Sequence, residues 1–236
     1  LPYVDASGEL WINESDGEWQ ELVERSAVAS TAKPDADKTL LATASWRGSP
    51  PSVFYADADH AEIYRVRPAS GPTLVEDVSG NGANSVLGVG DIDGDDTDEL
   101  VYADGSQEVR YLEPGGAVKT TGFTSGSNNG IGSGPLPDID GDGTDEALIV
   151  DGSNDIRLLD ASGPETKLAQ SAADAAKSPV TATDVDDDGS LEGVFIDESA
   201  VTLRYVDDIG GSETVKVLED QDGTVVDGDK DTGVVS

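Results

Sequence analysis

The stretch Asp138-Ile139-Asp140-Gly141-Asp142-Gly143-Thr144-Asp145-Glu146, followed at once by Ala147-Leu148-Ile149-Val150, places acidic residues at positions 1, 3, 5 and 9 of a nine-residue loop and then starts an apolar strand. Alternate side chains along a tight loop can converge on one point. A hard cation such as calcium takes about six to eight oxygens. Asp138, Asp140, Asp142 and Glu146 would supply carboxylates, and Thr144 at position 7 a backbone carbonyl. Gly143, at position 6, suits the sharp turn, where a positive φ is expected.

The loop is not alone. Asp91-Ile92-Asp93-Gly94-Asp95-Asp96-Thr97-Asp98-Glu99 repeats it ahead of Leu100-Val101-Tyr102, and Asp184-Val185-Asp186-Asp187-Asp188-Gly189-Ser190-Leu191-Glu192 repeats it ahead of Gly193-Val194-Phe195-Ile196. The starts lie 47 and then 46 residues apart. A single acidic run could be a solvated turn. Three copies at a fixed period mark a repeat architecture, in which each unit buries its faces against its neighbours. The expected ligands are Asp91, Asp93, Asp95, Thr97 and Glu99; Asp138, Asp140, Asp142, Thr144 and Glu146; and Asp184, Asp186, Asp188, Ser190 and Glu192, for about three calcium ions. A partial fourth copy, Asp227-Gly228-Asp229-Lys230-Asp231, has Val235 at position 9, so Asp227, Asp229 and Asp231 form a weaker candidate.

Composition narrows the setting. The 236 residues include 49 acidic and 14 basic side chains, a net charge of −35. Three calcium ions would neutralise only about six of those charges. So acidic a surface repels itself in dilute buffer and is tolerated where salt screens it. It resembles the surfaces of proteins from extreme halophiles, which points to a haloarchaeon or its virus. Nucleic acid and membrane insertion are poor fits: the charge opposes the first, and no apolar run reaches membrane-spanning length. The chain has no Cys, which excludes disulfides and thiol chemistry, and its lack of Met means that Leu1 is read as the start of a processed form or fragment. An extracellular, cell-surface or virion location is expected, because loops of this kind commonly serve as weak calcium binders outside cells.

Between the loops the pattern is of short strands separated by Gly and Asp turns, about four per repeat. Expected strands include 39–46, 53–56, 61–66, 85–89, 100–103, 108–112, 117–121, 147–150, 155–159, 166–169, 180–183, 193–196, 201–206 and 213–218. Residues 122–137 read as a loop leading into a short inner strand. In the first repeat Arg47-Gly48-Ser49-Pro50-Pro51-Ser52 stands where the acidic loop stands later, so the hairpin remains and the carboxylates are gone. The predicted fold is all-β: a β-propeller of five blades, each of four antiparallel strands. The repeats are about 28–76, 77–122, 123–170 and 171–219, and a fifth, shared blade made of 220–236 and 1–27 closes the ring. Closure would protect sheet edges from pairing with other chains. Asn13-Glu14-Ser15 is the one N-glycosylation sequon, expected on a turn.

The three loops with their following strands resemble the FG-GAP/VCBS repeats of integrin α-chain heads and of many secreted microbial proteins. The likeness rests on Asp91, Asp93, Asp95, Glu99, Asp138, Asp140, Asp142, Glu146, Asp184, Asp186, Asp188 and Glu192; it covers residues 77–236 well and 1–76 weakly. Two features depart from that family: room for about five blades where its heads usually have seven, and Glu at position 9 where Asp is common. The resemblance implies adhesion, protein contact or glycan contact. The leading expectation is a non-enzymatic interaction or surface-assembly module with a protein or glycan partner, with membership of a larger assembly as a further expectation. A glycan-binding propeller using Trp11, Trp19 or Trp46 is one alternative, against which stands the packing of aromatics in blade cores. A polysaccharide lyase or hydrolase is another, weakened by a single His (His60), no Cys and no nucleophile motif.

Overall fold

The structure is a computed structural model describing residues 2–4, 10–13, 19–23, 42–47, 50–56, 62–67, 70–77, 83–124, 134–161, 166–169, 181–197 and 202–218. The predicted closing strand, the loop at Asp227, Asp229 and Asp231, and His60 lie outside these residues. Every regular element among them is a β-strand.

Among the described residues, five sheets follow one another along the chain. The first holds β1 (Pro2–Val4), β2 (Leu10–Asn13) and β3 (Trp19–Val23). Asn13 is the last residue of β2, paired with Trp19, and not on the turn expected for it. The second is a meander of β4 (Ala42–Ala44), β5 (Ser52–Ala56), β6 (Glu62–Arg67) and β7 (Ser70–Asp77). The third contains β8 (Ala83–Gly90), β9 (Glu99–Asp104), β10 (Glu108–Leu112) and β11 (Val118–Thr124), joined at its inner edge by β12 (Gly134–Pro135). The fourth holds β13 (Ala147–Val150), β14 (Ile156–Leu159) and β15 (Thr166–Ala169), and the last is β16 (Thr181–Thr183), β17 (Glu192–Ile196), β18 (Leu203–Asp207) and β19 (Thr214–Val217). Neighbouring strands within each meander are antiparallel.

The short strand before the middle loop departs from the four-strands-per-repeat pattern. β12 runs parallel to β8 of the preceding sheet, with Gly134 opposite Gly88 and Pro135 opposite Val89. Leu136 continues the ladder by donating its N–H to the Val89 carbonyl at 2.9 Å. Pro135 has no N–H, which confines it to an edge position. The strand thus ties two consecutive sheets together.

The apolar core lies between sheets, in layers set by the two-residue period of a strand. In β9, Leu100 and Tyr102 pack with Trp46, Phe54 and Ile63 of the sheet before, while Val101 packs with Ala147, Ile149 and Leu159 of the sheet after. In β13, Ala147 and Ile149 face backwards, and Leu148 and Val150 face forwards to Phe195 and Val206. Strands buried on both faces read as continuous apolar runs, which is why Leu100–Ala103 and Ala147–Val150 are unbroken in the sequence. The second residue of the acidic loops joins this packing: Ile92 is buried against Val101 and Ile149, and Ile139 against Leu148 and Phe195.

A repeated latch closes the hairpin after the second strand. Asp104 Oδ1 accepts the N–H groups of Ser106 and Glu108, and its Oδ2 accepts Arg110 Nε at 2.8 Å. Asp151 does the same with Ser153, Asp155 and Arg157. In the last sheet Arg204 Nε lies 3.2 Å from Asp197 Oδ2.

Gly90, at the end of β8, shows how closely the middle loop presses on the sheet before it. A Cβ there would sit 2.6 Å from Asp145 Oδ2 and 2.8 Å from the Leu136 Cβ. Gly90→Ala is therefore expected to destabilise the protein by about 1–3 kcal/mol through overpacking. A thermal-denaturation curve matching that of the wild type would show that the loop does not make this approach.

Candidate metal centres

Each acidic loop is shaped by its own backbone before any ion is considered. The carboxylate at position 1 accepts N–H groups from across the turn: Asp91 from Asp95 and Asp96, Asp138 from Gly141 and Gly143, Asp184 from Gly189. Two positions per loop are left-handed. Position 6 is Asp96 (φ 67°), Gly143 (95°) or Gly189 (93°), and position 4 is Gly94 (73°), Gly141 (79°) or Asp187 (62°). Gly and Asp tolerate that region best.

The loops gather their carboxylates to different extents. Asp138, Asp140, Asp142 and Glu146 bring one oxygen each within 4.8 Å of one another. Asp91, Asp93 and Glu99 do so in the first loop, and Asp184, Asp186 and Glu192 in the third. Asp95 instead clusters with Asp93 and Glu113. Asp188 stands outside its cluster and accepts the Ser190 N–H at 2.8 Å. Of the position-7 residues, Thr144 turns its hydroxyl to Asp142 Oδ1 at 2.6 Å and Glu146 Oε1 at 3.0 Å, while Thr97 is exposed.

Position 9 decides the chemistry. Glu99 is wholly buried, and neither of its carboxylate oxygens has a hydrogen-bond partner. Glu192 is also wholly buried; its Oε2 accepts the Val185 N–H at 2.5 Å, and its Oε1 has no partner. Glu146 caps Ile139 N–H in the same way, at 2.7 Å. The longer glutamate arm thus reaches the position-2 amide in two loops with one oxygen and leaves the other to the cluster. Burial, with Asp93, Glu113, Asp95 and Asp91 around it, raises the Glu99 carboxyl to about 8. Burial raises Glu146 to about 7 against its two hydrogen bonds, and raises Glu192 as well. A buried carboxylate without a donor is costly unless a cation accompanies it. An all-oxygen donor set with such orphaned atoms fits a hard divalent cation.

Three participants were not singled out in the sequence. Glu113, after β10, enters the second cluster of the first loop. Lys119, on β11, places Nζ 2.9 Å from Asp93 Oδ2 and also pairs with Glu113. Lys216, on β19, pairs with Asp207 Oδ2 at 2.5 Å and lies 3.9 Å from Asp186 Oδ2. Each lysine sits opposite a tyrosine on the neighbouring strand, Tyr111 or Tyr205, a pairing that only the strand register reveals. Of the tryptophans, Trp46 is 2% exposed and packs edge-on against Phe54, so it serves the core and offers no face to a sugar.

No family model and no curated protein sequence matches the chain. Among solved structures it is similar to a streptogramin B lyase, a β-propeller, with a TM-score of 0.56 and 12% identity over 95% of this chain and 74% of that one. Together with the successive antiparallel sheets, this places the chain among the β-propellers. It also corrects an expectation. The lack of Cys and the single His argued against an enzyme, yet a protein of this fold is a lyase, so the expectation of a non-enzymatic chain does not stand. At this identity the likeness concerns the fold and assigns no reaction.

The buried glutamates generate a pH dependence. Glu99 binds its proton more tightly folded than unfolded, so the folded state is protonated in a window, from 4.5 to about 8, where the unfolded chain is not. Stability of the metal-free protein therefore falls as pH rises through that window. Denaturation midpoints measured in chelator across it should decline, and Glu99→Gln should flatten the decline. An undiminished slope in that variant would remove Glu99 from the account.

Proposed function

We propose that the chain is an extracellular, calcium-stiffened β-propeller of the FG-GAP/VCBS kind, adapted to high salt, that presents its faces and rim to a protein or glycan partner at a cell or virion surface. The observation that carries the metal reading is the buried Glu99 carboxylate, with no donor on either oxygen and Asp91 and Asp93 beside it. Calcium suits the site because every offered atom is oxygen, and this ion accepts about six to eight such ligands in variable geometry. The net charge of −35 supports the saline setting, since a Debye length near 3 Å in molar salt removes most of the self-repulsion.

In this reading the five sheets are five blades. The first described sheet has three strands, and the chain's last residues repeat the start of a loop-bearing unit, so 220–236 would supply the missing inner strand beside β1. A chain ending at residue 219 should then melt well below the full chain in the same buffer. Equal melting temperatures would remove the shared closing blade.

The metal reading is tested by thermal unfolding in molar salt, with and without a calcium-specific chelator, on wild type and Asp140→Ala. Calcium at about 100 times its dissociation constant stabilises by about 2.7 kcal/mol per site. Chelation and the substitution should each lower the melting temperature, and calcium should restore the wild type more fully than the variant. No response to the chelator would make the loops solvated turns. Turnover of an acidic polysaccharide by the calcium-loaded chain would replace the interaction reading by a catalytic one.

A further inference from the structure

The three loops share a motif but not an electrostatic environment, and the difference lies on the outermost strand of each blade. In β10 and β11, Tyr111 stands opposite Lys119. In β18 and β19, Tyr205 stands opposite Lys216. Each ammonium lies over its tyrosine ring, at 5.5 Å and 5.7 Å from the centroid. From there each reaches the position-3 aspartate of its own blade's loop, Asp93 at 2.9 Å and Asp186 at 3.9 Å.

The middle blade breaks the pattern by one residue. Leu158 occupies the tyrosine position and faces Thr166, while Lys167 faces Arg157. Successive strand side chains point to opposite faces, and Lys167 Nζ pairs with Asp155 Oδ2 at 2.5 Å. Among the described residues no lysine or arginine forms an ion pair with Asp138, Asp140, Asp142 or Glu146.

We propose that Lys119 and Lys216 are tethered counter-cations that hold the loops at Asp91 and Asp184 at lower calcium affinity than the loop at Asp138, so that the three loops fill in two steps. This deepens the calcium reading above and rests on it. The lysines act through the position-3 aspartates as positioning residues and do not ligate the ion. Asp93 shows the division of labour: Oδ2 meets the ammonium, and Oδ1 is buried without a partner. The ammonium offsets carboxylate repulsion while the loop is metal-free, then opposes the arriving ion. A divalent ion and an ammonium about 5 Å apart interact, even at the dielectric of water, by the equivalent of about a tenfold change in affinity.

The test is calorimetric titration with calcium chloride in the lowest salt at which the wild type is folded, on wild type, Lys119→Met, Lys216→Met, Lys119→Arg and Asp140→Asn. Wild type should show one tighter and two weaker sites, and Asp140→Asn should remove the tighter class. Each Lys→Met variant should tighten one weak site about tenfold while lowering the melting temperature in chelator. Lys119→Arg, which keeps the charge, should stay near the wild type. A merely structural lysine would weaken both quantities together. Three equal sites in wild type, or unchanged or weaker binding in both Lys→Met variants, would overturn the proposal and leave the calcium reading standing. No calcium binding by wild type would overturn both. Should one Lys→Met variant fail to fold, the other blade's variant and the wild-type isotherm still decide the matter.

Discussion

A carboxylate taken out of water must be given something in return, and the acidic loops depend on that constraint. Glu99 is wholly buried at the start of β9, and neither oxygen meets a donor. Its backbone cannot move outward, because the next residue, Leu100, is locked into the layer containing Trp46 and Phe54. The strand's packing therefore forces the glutamate inward, and the loop's aspartates surround the space it faces. The same coupling recurs where Glu192 precedes Phe195 and where Glu146 precedes Leu148. Core and site are two consequences of one strand, with apolar side chains holding a position that electrostatics alone would vacate.

The loops also hold one another. Asp145 N–H donates to the Asp91 carbonyl at 2.9 Å, and Asp145 Oδ2 accepts Asp91 N–H at 2.8 Å, so the eighth residue of one loop grips the first residue of the loop before it. Ala161 N–H reaches the Ile92 carbonyl at 3.1 Å, and Gly210 lies against Asp140. On the other side Trp46 Nε1 donates to the Asp98 carbonyl at 3.0 Å. In the repeat whose loop lacks carboxylates, Arg47 lies 3.8 Å over the Trp46 ring and donates to the Glu113 carbonyl at 3.2 Å. The first two acidic loops and the turn at Trp46 thus form a connected band.

The fold leaves the chemistry at the rim open. Propellers carry unrelated activities on one scaffold, and similarity to a lyase at 12% identity removes an argument from composition without adding a reaction. The features particular to this chain are electrostatic. Its lysines are few, and among the described residues the two that approach the loops do so from equivalent strand positions over equivalent tyrosines. In a chain of net charge −35, the placement of a single ammonium changes the local field more than it would on a balanced surface.

The sequence by itself determined the repeat and the acidic residues of its loops. Unbroken apolar runs such as Leu100–Ala103 and Ala147–Val150 can be read as strands buried on both faces, and the spacing of the three loops is enough to infer stacked units. The strand runs and the spacing of acids within each loop are local signals, and the repeat is visible because they recur 47 and then 46 residues apart. Four matters were decided only by the tertiary structure: the pairing of β12 with the preceding sheet, the use of Asp145 as a bridge, the entry of Glu113, and the approach of Lys119 and Lys216 to the position-3 aspartates. Each depends on which residue faces which across separate strands. A one-residue shift in that register carries a side chain to the opposite face, as it does for Lys167, and the facing partner is written elsewhere in the chain.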